Sequence, residues 1–142
     1  MTHDHYPDDL LRDLLRATKT IAVVGASLNP ARPVFGVMRY LIDAGYRVIP
    51  VNPGQAGREI LGQRVFATLA DVPEPVDLVD IFRRQAALAG VVDESLRLKP
   101  RPRAIWMQLD LSDDAAAAAK AEAAGLVVVM DRCIKIEHAR LM

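Results

Sequence analysis

The sequence predicts an α/β protein: a doubly wound parallel sheet with helices on both faces, in three α/β/α layers. Three observations lead there. Val/Ile-rich runs alternate with helical patterns along the chain, and that alternation builds parallel strands joined by right-handed helical crossovers. The runs are apolar at nearly every position rather than every second one, as in strands buried on both faces. Finally, 142 residues with 51% hydrophobic content make one ordinary domain with one sizeable core. A single domain over residues 1–142 is expected.

The elements follow in order. Leu10/Leu11 and Leu14/Leu15 predict a short opening helix over one side of the core. Thr20-Ile21-Ala22-Val23-Val24 reads as the first strand, ending at Gly25. Val34, Val37, Met38, Leu41 and Ile42 fall at i, i+3, i+4, i+7 and i+8 of a helix, with Gly45 placed to end it. Tyr46 to Val51 is the second strand, closed by Asn52-Pro53-Gly54. Residues 55–75 are less regular: Arg64 to Ala67 suits a short edge strand, and Thr68-Leu69-Ala70-Asp71 a capped single turn before Pro73. Val76 to Phe82 is the next buried run, followed by a helix from Arg84 to Leu98 that Pro100 and Pro102 end. Ala104 to Gln108 is another strand. Ser112 is placed as an N-cap, with Asp113 and Asp114 in the first turn of a helix through Ala115 to Ala119. Gly125 stops it, and Leu126 to Met130 is the last strand. The sum is a sheet in the Rossmann style.

Charge narrows the function. Lys+Arg number 18 and Asp+Glu 18, for a formal net charge of zero. Such a chain has no global field for nucleic acid or anionic membranes, so local geometry must hold any anionic ligand. The lone cysteine, Cys133, has no intrachain disulfide partner and belongs to no zinc-binding spacing. No apolar run approaches the ~20 residues of a membrane span, and Met1 to Pro7 has no signal-peptide core. A cytoplasmic protein without nucleic-acid or membrane partners is therefore expected, with self-association or a protein partner left open. His3-Asp4-His5 reads as a solvated terminus rather than a metal site.

In doubly wound sheets ligands sit beyond the carboxyl ends of the strands, where the winding reverses. That rule selects the turns after Val24, Val51 and Ile81. The first reads Gly25-Ala26-Ser27-Leu28-Asn29-Pro30-Ala31-Arg32-Pro33. Gly25 allows a tight exit, Ser27 offers a hydroxyl, and backbone N–H groups at the helix start can face an anion. Arg32 adds a charge-assisted contact, while Pro33 fits the first helical position. The dinucleotide fingerprint is not met: its glycines would stand at 25, 27 and 30, where this chain has Gly25, Ser27 and Pro30. The second strand also ends on Asn52 instead of a carboxylate. Cys133 and His138 stand five apart with no orienting third group, so no catalytic residue is assigned.

Several stretches resemble a known family, the small stand-alone CoA-binding domain proteins. They are similar in fold to the N-terminal domain of the succinyl-CoA synthetase alpha subunit. The resemblance rests on Val24 to Pro30, Gly45 to Pro53, Val79 to Arg83, Trp106-Met107-Gln108 and Asp131 to Ile134, in order over nearly the whole chain. It implies a coenzyme A site in which Gly25-Ala26-Ser27 holds the pyrophosphate, with Arg32 and Pro33 beside it. Val51, Asn52 and Pro53 would line the adenosine side, where a 3′-phosphate replaces the ribose contact of NAD. Phe82 and Arg83 would meet adenine or the start of the pantetheine arm, and Gln108 completes the site. Two departures stand out. Leu109-Asp110 follows Gln108 where the family commonly has a small residue and Gly. Gln55, with Arg58 three residues on, replaces a Lys found after the second strand in the synthetase relatives. The function implied is non-catalytic binding of CoA or acyl-CoA, as carrier, sensor or partner module. The alternatives are an enzyme acting on a nucleotide or CoA thioester, and an NAD(P)-binding redox sensor.

Overall fold

In the computed structural model, which describes residues 5–108 and 115–142, the Val/Ile-rich runs pair into one parallel five-stranded sheet. Its strands are β1 (Thr20–Val24), β2 (Arg47–Val51), β5 (Leu78–Ile81), β6 (Ala104–Met107) and β7 (Val127–Val129). Their order across the sheet is β2-β1-β5-β6-β7. The winding reverses beside β1, which pairs with β2 on one edge and β5 on the other, Val24 opposite both Val51 and Ile81. Helices α1 (Asp8–Ala17), α2 (Pro33–Asp43) and α5 (Ile134–Leu141) cover one face. Helices α3 (Leu88–Leu96) and α4 (Ala115–Ala123) cover the other. This is the Rossmann-like, three-layer fold expected from the alternation.

Local chemistry explains the boundaries that position the site. Pro33 opens α2 at a position where a missing N–H costs nothing. The helix ends in a Schellman motif: Tyr46 N–H donates to Leu41 O at 3.1 Å and Gly45 N–H to Ile42 O at 3.0 Å. Gly45 sits at φ +101°, which favours glycine. Pro50, without an N–H, is tolerated because β2 is an edge strand.

Two elements differ from the sequence reading. The strand expected over Arg64 to Ala67 is a small hairpin of β3 (Glu59–Ile60) and β4 (Gln63–Arg64), with Phe66 making a single parallel bridge to Val51. The helix expected from Arg84 begins as a 3-10 turn, Gln85–Ala87, and becomes α-helical only at Leu88. No side chain caps its start, and its buried stripe of Leu88, Val91, Val92 and Ser95 begins only there. At Thr68 the hydroxyl donates to the Asp71 carboxylate at 2.9 Å, fastening the single turn Leu69–Asp71. Ser112, Asp113 and Asp114, like Leu109-Asp110 and His3-Asp4, lie outside the described residues.

Candidate functional site

Gly25, the first residue beyond β1, is fixed by two constraints. Its φ of +90° disfavours any side chain, and a Cβ there would lie 2.3 Å from the Phe82 carbonyl oxygen. The turns after β1 and β5 therefore touch through backbone. Gly25 and Ala26 N–H both donate to Val51 O, at 3.0 and 3.4 Å. These two donors are thus spent on holding the turn to β2, not free for an anion. Ser27 Oγ accepts from Asn29 N–H, and Asn29 Oδ1 from Ala31 N–H, each at 3.0 Å. Ser27, half-buried, and Arg32, exposed, remain as side chains able to meet an anion.

Asn52 is the second fastening. Its Nδ2 donates to Ala26 O at 2.7 Å and its Oδ1 accepts from Gly54 N–H at 2.9 Å. The residue standing where dinucleotide enzymes carry a carboxylate here ties two turns together. Val51 contributes its carbonyl rather than its side chain, which is buried against the α3/α4 layer. Pro53 opens a 3-10 turn and is exposed. Neither lines the cleft described next.

The turns enclose a cleft of about 940 Å³. From the first turn come Gly25, Ala26, Ser27, Arg32 and Pro33, and from the second Asn52 and Gln55. Phe82, Arg83, Arg84 and Gln85 follow β5, while Gln108 and Cys133 close the far end. Gln108 is buried and its Oε1 accepts from Ile134 N–H at 3.2 Å, seating the start of α5 beside Cys133. Arg58 does not line the cleft. Sequence reasoning missed Arg84, Gln85 and the reach of Val34 and Val37 into it. Arg84 was visible as the neighbour of Arg83; the α2 valines were read only as core.

Electrostatically the cleft is one-sided. Arg32, Arg83 and Arg84 line it, and no Asp or Glu does among the described residues. None of the three arginines is ion-paired among the described residues; pairs elsewhere include Arg12–Asp9, Arg47–Glu74, Lys120–Asp93, Arg140–Asp8 and Arg140–Glu137. A neutral chain thus presents a local positive field at the switch point. A second hollow of about 600 Å³, at the amino ends of β5 and β6, mixes Glu74 and Glu94 with Arg97 and Lys99 and has no such bias.

Cys133 and His138 are not brought together as a pair. The His138 Nδ1 lies 2.8 Å from the Tyr40 hydroxyl, and burial holds its imidazole below the ordinary histidine value. Cys133, half-buried, faces the cleft instead. Among the described residues no group of three or more His, Cys, Asp or Glu side chains could hold a metal ion, and no helix is long and apolar enough to cross a membrane.

Fold and cleft together define a Rossmann-like domain with a cation-lined pocket at the reversal of its sheet. Residues 19–139 match the family described as CoA binding domain, and the chain belongs to that family. It is 38% identical over 129 residues to the uncharacterised protein YneT of Bacillus subtilis, covering 91% of this chain and 92% of that one. A solved structure from Thermus thermophilus superposes with a TM-score of 0.90 at 42% identity, covering 96% of this chain and all (100%) of that one. The alpha subunit of an ADP-forming acetate–CoA ligase from Pyrococcus furiosus is 34% identical over 80 residues. That match covers 54% of this chain and 17% of the ligase subunit.

Proposed function

We propose that this chain binds coenzyme A or an acyl-CoA in the cleft at the carboxyl ends of its strands. It would act as a non-catalytic, cytoplasmic carrier, sensor or partner module. The observation that carries the reading is the concentration of Arg32, Arg83 and Arg84 on a cleft whose described lining has no carboxylate, in a protein of zero net charge. CoA carries several negative charges, and these residues fit them. Arg32 and the Ser27 hydroxyl are assigned to the pyrophosphate, at the start of α2 where the helix dipole also favours anions. Arg83 and Arg84 are assigned to the 3′-phosphate end, Phe82 to the base, and the Gln108/Cys133 end to the pantetheine arm. Holding Asn52 in a clamp between two turns argues against a dinucleotide-type ribose contact. A non-catalytic role is favoured because His138 is engaged by Tyr40 rather than by Cys133.

Isothermal titration of the full chain with CoA, dephospho-CoA and NAD tests the assignment. CoA is expected to bind most tightly, dephospho-CoA more weakly for want of the 3′-phosphate. Equal or absent binding of all three would contradict it. Arg32→Ala is expected to cost roughly 1.5–3 kcal/mol of CoA affinity, the scale of a charge-assisted hydrogen bond. An unchanged dissociation constant would place Arg32 outside the site.

A further inference from the structure

We propose that the Gln85 carboxamide reads the adenine ring of the bound nucleotide, an inference that rests on the CoA reading above. Gln85 begins the 3-10 turn after β5 and lines the cleft. Both its Nε2 and its Oε1 are withdrawn from solvent, and neither has a hydrogen-bond partner among the described residues. Withdrawn side-chain polar atoms are nearly always paired, and an exception needs an explanation. Asp80 is the only other side chain among the described residues with such atoms, and it lies within the sheet. Gln85 stands at the cleft wall, so a turn of its side chain brings the amide within reach of a ligand. Turning its amide toward the cleft breaks no hydrogen bond among the described residues.

The chemistry of the missing partner follows from the shape of the group. A carboxamide presents one acceptor and one pair of donors side by side. A phosphate offers acceptors only and would leave the Gln85 oxygen unpaired. A trans secondary amide, as in a pantetheine arm, points its N–H and C=O in opposite directions, so one carboxamide cannot meet both. An adenine edge sets the exocyclic N6–H beside a ring-nitrogen acceptor, the arrangement that Gln or Asn pairs with through two bonds. Phe82, half-buried and three residues earlier in the same lining, supplies an aromatic neighbour for the base. Gln85 is therefore the residue that selects the base, while the arginines hold the phosphates.

The test is titration of the full-length chain and its Gln85→Leu variant with CoA, adenosine 3′,5′-bisphosphate and 4′-phosphopantetheine, the weaker two by competition. Gln85→Leu is expected to weaken CoA and the bisphosphate by a similar factor of about ten, leaving 4′-phosphopantetheine unchanged. Because the substitution removes an unpaired buried amide, the ligand-free variant should melt at the same temperature or higher. Unchanged CoA affinity in Gln85→Leu would overturn the assignment, as would a loss seen with 4′-phosphopantetheine but not with the bisphosphate. A wild-type chain that binds none of the three would instead overturn the CoA reading itself.

Discussion

Gly25→Ala is expected to cost about 3 kcal/mol or more of folding stability and to weaken CoA binding by at least tenfold. Two separate penalties act at this position. An alanine at φ +90° leaves the region L-residues favour, a strain of roughly 1–2 kcal/mol. Its Cβ would also stand 2.3 Å from the Phe82 carbonyl oxygen, which is backbone and cannot swing aside. Phe82 is itself tethered, its N–H donating to Val24 O at 2.8 Å, so the turns after β1 and β5 must separate together. Overpacking of this kind costs about 1–3 kcal/mol. A domain of this size has roughly 5–15 kcal/mol in total, so the variant should still fold. Those two turns carry Ser27, Arg32, Arg83 and Arg84, and parting them spreads the cations. Urea unfolding and titration with CoA measure both effects. A loss under 1 kcal/mol with unchanged affinity would contradict the account.

Asp80→Asn is expected to stabilise the protein increasingly as pH rises. Asp80 lies in β5 between Val23 and Trp106, fully buried, and neither carboxylate oxygen has a partner among the described residues. Burial holds its carboxyl well above the ordinary value of 3.8. The sign follows from linkage. The folded state keeps the proton over a range where the unfolded chain has released it, so the unfolded state binds fewer protons there. Stability from this group is therefore fully present below the unfolded value and declines as pH rises toward the raised folded one. The slope is about 1.4 kcal/mol per pH unit while pH remains within that window. Asn has nearly the same shape and does not ionise. The stability difference between Asp80→Asn and the parent, from urea unfolding at pH 5, 6, 7 and 8, should thus grow in favour of Asn. A pH-independent difference would mean that Asp80 is ionised or paired in the native protein.

The parts of this molecule legible in the sequence are those decided locally. The apolar run of Thr20 to Val24 and the stripe from Val34 to Ile42 with Gly45 after it dictate β1 and α2, because each depends on residues within one or two turns. The helix after β5 was extended too far because Arg84 to Ala87 continue its composition. Only the inward stripe starting at Leu88, a tertiary fact, decides where the α-helix begins. At the site, Gly25, Ser27, Arg32, Phe82 and Arg83 fall in the cleft because the switch-point rule depends on strand order alone, and Gln108, implied by the family resemblance, joins them from the end of β6. Val51 does not, since strand alternation turns its side chain into the α3/α4 layer while its carbonyl does the work. Asn52 looked like a ligand contact, yet its partners Ala26 and Gly54 are backbone groups that no spacing reveals. Gln85 and Cys133 enter the cleft from turns 48 positions apart, and nothing in the sequence joins them. Asp80 lies inside the buried run from Val76 to Phe82, and its lack of a partner among the described residues is a property of packing that the run itself does not reveal.

Native mass spectrometry of the freshly purified chain with added CoA reads out whether the cation-lined cleft holds CoA. One CoA per chain is expected, retained under gentle ionisation, and any acyl-CoA carried from the cell is expected to be displaced by excess CoA. A chain that stays bare at saturating CoA would contradict the CoA assignment.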